Sequence, residues 1–186
     1  MDTLGFYFSL GFQHVTDLNG LDHFYFIIAL VLPFGFKQAK KLLWWVTLFT
    51  LGHSLSLIGN YYLNLTFSAY WIELLIPITI ALSCLPIVLQ KSPSTNWFAS
   101  GLTLLFGIIH GFGFGRFFSM MVLPEDAGTS LFSFALGVEA AQLCIVLCVL
   151  CLNFLVALKP KWLRLWQTTV GMMIFFVAVI MIVERI

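Results

Sequence analysis

TSLFSFALGVEAAQLCIVLCVLCLNFLVAL, residues 129–158, decides the fold: thirty consecutive residues carry a single charge, Glu139. As a helix this run reaches about 45 Å at 1.5 Å per residue, against roughly 30 Å for the hydrocarbon core of a bilayer. It reads as a membrane span that tilts or projects from the bilayer. The rest of the chain has the same character. Of its 186 residues 61% are hydrophobic and only 9% charged, with a mean hydropathy of +1.01. A soluble domain carries about 25% charged residues, so this chain has too little polar surface to coat a globule in water. The solvent is lipid. The net charge of +1, without a basic run, excludes a nucleic-acid binder.

Working outward from 129–158, further apolar runs of spanning length fall at 21–36, 41–62, 67–90, 96–118 and 162–186. The expectation is an all-α, polytopic bundle of about six transmembrane helices, forming one domain over 1–186. The first run is short. Residues 4–15 are apolar but too short to cross, and are expected to lie in the interface or to re-enter between helices. Pro33 and Gly35, Ser92-Pro93-Ser94 and Pro160 punctuate the spans, while Pro77 and Pro86 fall inside the third, where a bundle tolerates a kink. Asp2 stands where a signal peptide carries basic residues, so the first apolar segments are expected to stay in the mature protein. Cys84, Cys144, Cys148 and Cys151 lie in apolar stretches and read as small packing residues rather than as disulfides or a CxxC metal site.

Loop charges orient the bundle. Lys37, Lys40, Lys41, Lys91, Lys159, Lys161 and Arg164 fall on one side of a six-span chain, and only Arg116 and Arg185 on the other. By the positive-inside rule the first side is cytoplasmic and both termini face outward. Trp44, Trp45, Trp97, Trp162 and Trp166 then mark the cytoplasmic interface and Trp71 the outer one.

An ionisable group inside a span costs roughly 2.5–3.5 kcal/mol on insertion scales, so each one calls for a reason. His53, Glu73, His110 and Glu139 lie within the second to fifth runs, Asp22 and His23 open the first, and His14 precedes it. From the helical rise, His53, His110 and Glu73 sit roughly 9–12 Å below the outer face and Glu139 about 15 Å, with Asp22 and His23 at that face. Helices of opposite direction therefore place their acids and all four histidines in one outer layer. Each has an ordinary reading too. Asp22 with Asn19 resembles a capping-box start, and the glutamates could simply pair with histidines. Asp17, Ser54, Asn60 and Gln142 are expected to support the layer or bridge helices rather than to ligate. Imidazole and carboxylate without a nearby thiol suit a borderline divalent ion such as Ni, Co, Zn or Fe(II).

His14-Val-Thr-Asp-Leu-Asn-Gly-Leu-Asp22-His23-Phe, Thr47-Leu-Phe-Thr-Leu-Gly-His53-Ser-Leu-Ser-Leu, Ile72-Glu73, Gly107-Ile-Ile-His110-Gly-Phe-Gly-Phe and Leu136-Gly-Val-Glu139-Ala-Ala-Gln142 occur in this order. In combination they resemble the HupE/UreJ family, from about residue 10 to 150. Its members accompany hydrogenase and urease gene clusters and are regarded as nickel or cobalt permeases or metal-supply accessories. The resemblance implies a metal role for His14, Asp22, His23, His53, Glu73, His110 and Glu139, and a place in a bacterial cytoplasmic (inner) membrane. The His14 to Asp22-His23 segment is also similar to the His-x4-Asp-His signature of nickel/cobalt transporters, although seven residues intervene here. Ala-Ala-Gln after Glu139 departs from the Leu-Gly-Gln of many members. A divalent-metal transporter, whose path opens between helices or needs a homo-oligomer, is one expectation. An intramembrane zinc-type hydrolase acting on a lipid, with Glu73, Glu139 or Asp22 as general base, is the alternative, so enzyme activity is left open. A membrane-embedded metal-binding accessory is the third. The partners expected are the bilayer and the ion.

Overall fold

Proline, glycine and the long apolar runs divide the chain into seven α-helices, described by a computed structural model over residues 3–17, 20–90, 97–122 and 124–186. They are α1 (Thr3–Thr16), α2 (Asp22–Val31), α3 (Ala39–Leu63), α4 (Ala69–Val88), α5 (Trp97–Met121), α6 (Ala127–Ala157) and α7 (Pro160–Val183). Asp2, Asn19, Lys91 and Ser92-Pro93-Ser94 lie outside the described residues, and with them the expected Asn19 cap. Helices α3 to α7 each have the length and composition of a membrane span. Their outward faces are apolar, with Leu55, Phe132, Leu147, Phe154, Met173 and Phe176 exposed. Large apolar side chains facing outward along every long helix are what a multi-pass membrane protein presents to lipid.

The run 21–36 does not form one continuous spanning helix. Only Asp22–Val31 is helical, about 15 Å long, because Pro33 offers no N–H and Gly35 is extended. The crossing is completed by α1. Ser133 Oγ of α6 donates to the Leu4 carbonyl (2.6 Å), and Gly137 packs against the Phe8 backbone. At the other end Asn153 Nδ2, also of α6, donates to the Leu32 and Phe34 carbonyls (2.9 and 2.8 Å). Residue numbers rise together along both partners. Helices α1 and α2 thus run in tandem beside α6 as one broken rod, roughly 36 Å of helix in all. The apolar segment 4–15, expected as interfacial or re-entrant, is the first half of this rod.

Broken backbone at membrane depth needs partners for its freed carbonyls. Leu32 receives a second donor from Gln167 Nε2 (2.7 Å), and Trp166 Nε1 holds the Asn153 amide through its oxygen (3.1 Å). Trp166 is therefore also a hydrogen-bonding group of the bundle. So is Trp45, which is buried and donates to Ser100 Oγ (3.2 Å). Trp44, Trp71, Trp97 and Trp162 are exposed as expected.

The closest pairing is α3 against α5, which lie parallel. Gly107 packs on the Phe49 backbone, Gly111 on His53 and Ser56, and Gly115 on Asn60, while Gly52 meets Leu104. Any Cβ at Gly52, Gly107 or Gly111 would overlap the neighbouring backbone, so small residues four apart set the approach of these helices. The Gly111–Gly115 stretch is helix. On α6, Gly137 and Ala141 are buried, but the expected packing residues Cys144, Cys148 and Cys151 are exposed. The bundle's lipid-like surroundings accept a cysteine on the outside, so only Cys84 is a buried packing residue.

Candidate metal centre

The break between α1 and α2 opens at mid-depth. His53 lies ten residues before the end of α3 and His110 eleven before the end of α5, about 15–16 Å in each case. His14, near the end of α1, and His23, at the start of α2, meet them there. His23 was expected at the membrane face. It lies deeper because α1 forms the first half of the rod.

His23 is central. Its ring centroid is 4.6 Å from that of His14, 5.4 Å from His53 and 5.1 Å from His110. His14, His23 and His53 each offer a ligand atom within 4.8 Å of the other two. Two nitrogens bound to one ion at about 2.0–2.1 Å lie no more than about 4 Å apart, so the rings need to draw in by less than an ångström.

Two of the rings have a defined orientation. The His110 Nδ1–H donates to the Phe106 carbonyl (2.8 Å), one turn back on α5. The His23 Nδ1–H points to Asp22 Oδ1 (3.1 Å), which also accepts the His23 backbone N–H (2.9 Å). A proton on Nδ1 leaves the Nε2 lone pair free, and a carboxylate behind an imidazole makes it a stronger ligand. Nε2 of His14, His23, His53 and His110 is buried in every case without a hydrogen-bond partner among the described residues. A buried polar atom left unpaired costs about 1–3 kcal/mol. Three of these histidines form the close group above, and the fourth, His110, borders it through His23.

Phenylalanines close the walls. Phe114 lies 4.0 Å from His14, Phe134 6.0 Å from His53, Phe49 5.1 Å and Phe26 5.4 Å from His110, centroid to centroid. They keep the rings from turning and lower the local dielectric. On one side the site opens into a cavity of about 450 Å³ whose wall includes His14, Asp17, Asp22, His23, Glu73, His110 and Arg185. A second cavity of about 680 Å³ meets it at His14, Asp17 and Phe114.

The expected residues thus separate by location. His14, Asp22, His23, His53 and His110 come together, while Glu73 and Asp17 line the approach. Glu139 faces α3, accepting hydrogen bonds from Thr47 Oγ1 (2.7 Å) and Thr50 Oγ1. The Gln142 amide oxygen accepts from Thr50 as well (3.1 Å). Glu139 and Gln142 therefore meet α3 at Thr50, one turn from His53 towards the end bearing Lys40 and Lys41. Asn60 Oδ1 accepts from Ser119 Oγ (2.7 Å) and its Nδ2 donates to the Leu65 carbonyl (3.1 Å), tying α3 to α5 and to the following loop. Ser54 is half-buried. Thr47, Thr50 and Arg185 were not expected as site residues. Thr47 and Thr50 precede His53 by six and three residues, a spacing that puts Thr50 on the same helix face.

A family model described as HupE / UreJ protein matches residues 1–185, almost the whole chain. No curated protein and no solved structure matches it.

Proposed function

The chain belongs to the HupE/UreJ family, and from that premise and the histidine site we propose that it carries a nickel- or cobalt-type divalent ion across the membrane. The ion is the cargo, held by His14, His23, His53 and His110. The observation that carries this reading is the set of four buried, unpartnered Nε2 atoms on four different helices. Nitrogen donors in that number favour a borderline ion over Mg²⁺ or Ca²⁺, which take oxygen. Asp17, Asp22 and Glu73 on the cavity wall attract the cation and let it shed water gradually before it meets the imidazoles. The basic residues at the starts of α3 and α7 support an orientation with that end in the cytoplasm, both termini outside and the cavity facing outward, in a bacterial inner membrane.

Uptake of Ni²⁺ or Co²⁺ into proteoliposomes tests the proposal. Wild-type protein is expected to carry the ion faster than empty vesicles, and His53→Ala or His110→Ala to return the rate to that baseline. Equal rates for wild type and empty vesicles would remove transport and leave a metal-binding accessory.

A further inference from the structure

Small residues leave a gap near the basic end of the bundle. Ala29, Ser83, Ala99 and Thr103, from α2, α4 and α5, line a cavity of about 380 Å³. Trp45 of α3 forms a further wall, and Phe26 and Phe106 stand at the inner end. Along α5 the lining runs from Ala99 to Phe106, about 10 Å at 1.5 Å per residue. Ala99 is two residues from the start of α5, so the cavity stays within the depth of one leaflet, roughly 15 Å of hydrocarbon. Its walls are almost wholly apolar. Ser83 and Thr103 give their hydroxyls to the Thr79 and Ala99 carbonyls of their own helices, both at 2.9 Å. A cavity of this character stays dry. Leu82, on its wall, is exposed on the outward face of α4, so the filler within reach is a lipid chain.

The same cavity has positive charge at its basic-end rim. Lys41 precedes Trp45 by one turn on the same face of α3, with its Nζ 5.3 Å from the indole ring. Pro33 and Phe34 also line the cavity, and the exposed Lys37 follows them by three residues. We propose that this cavity seats one acyl chain of an anionic phospholipid whose headgroup is held by Lys37 and Lys41. The site is separate from the histidines and does not depend on the transport reading. An acyl chain gains little by leaving the bilayer for an equally apolar cavity, so the headgroup decides which lipid is kept. A basic pocket between helices at the membrane face is a known form of headgroup site, and each lysine favours an anionic lipid by about fivefold. Two lysines then favour it by about 25-fold over a zwitterionic lipid with the same chains. The chain's far end meets Phe26, whose ring is stacked on Phe49 at 4.8 Å and lies 5.4 Å from His110. A seated lipid therefore also supports one wall of the histidine site.

Native mass spectrometry of the full chain in detergent tests this, with phosphatidylglycerol and phosphatidylcholine of identical chains as the probes. Wild-type protein is expected to retain one phosphatidylglycerol, at least about tenfold more tightly than phosphatidylcholine. Lys37→Gln combined with Lys41→Gln is expected to abolish that preference. Both side chains lie at the bundle's end, so this variant keeps the core intact. Ala99→Trp puts a large ring into the cavity and is expected to lower retention of both lipids. Equal retention of the two lipids by wild type would overturn the proposal. So would a double lysine variant that keeps the wild-type preference, even if Ala99→Trp does not fold. A folded Ala99→Trp that retains phosphatidylglycerol as well as wild type would place the lipid elsewhere and overturn the cavity's assignment.

Discussion

The chemistry of this protein rests on individual nitrogen atoms. Because His110 gives its Nδ1–H to the Phe106 carbonyl and His23 its Nδ1–H to Asp22, both present Nε2 to the site. Asp22→Asn keeps an acceptor behind His23 but removes the negative charge. Ni²⁺ affinity is expected to fall about 10- to 100-fold, with the fold unchanged, in a titration of the purified protein. Imidazole ligates only when neutral, so protons compete with the ion. Retention is expected to weaken as pH falls and protons take the Nε2 lone pairs. Equilibrium dialysis from neutral to acid pH measures this, and affinity that stays constant until the protein unfolds would contradict imidazole ligation. Much of this layer was legible in the sequence, since a histidine inside a 25-residue apolar helix has to be explained. Ring orientation was not. It depends on the Phe106 carbonyl, a backbone group that no residue letter records.

At the scale of elements, the parallel α3–α5 pair holds His53 and His110 at fixed separation through its glycines. Gly107→Leu is expected to force these helices apart, costing about 1–3 kcal/mol or more, and to lower the thermal midpoint in detergent together with metal retention. Gly107 and Gly111 stand one turn apart in the sequence, the spacing of a close helix contact. The broken α1–α2 rod was harder to foresee. Residues 4–15 and 21–36 each look too short or too irregular for a span. Nothing local says that they stack end to end, because Ser133 and Asn153, more than a hundred residues away, hold the two halves in line. Asn153→Ala leaves Gln167 serving the Leu32 carbonyl but orphans that of Phe34. The expected loss is about 1–3 kcal/mol, seen as a lower thermal midpoint, with metal binding weakened less than by any histidine change.

For the whole molecule, composition alone required a membrane-embedded helical bundle. Run lengths divided it nearly correctly, and the family match covers residues 1–185. The depth of the site needed three dimensions: counted along separate helices, Asp22 and His23 fall at the membrane face, but the packed rod sinks them beside His53 and His110. Sequence also grouped Glu139 with the histidines, whereas packing turns its carboxylate to Thr47 and Thr50. The central claim is that four histidines from four helices hold one divalent ion, and metal content measured by mass spectrometry tests it most directly. Protein equilibrated with Ni²⁺ at neutral pH and freed of excess is predicted to retain about one ion per chain, and His53→Ala and His110→Ala to retain almost none. Wild-type protein that emerges without metal, or histidine variants that keep as much as wild type, would contradict it.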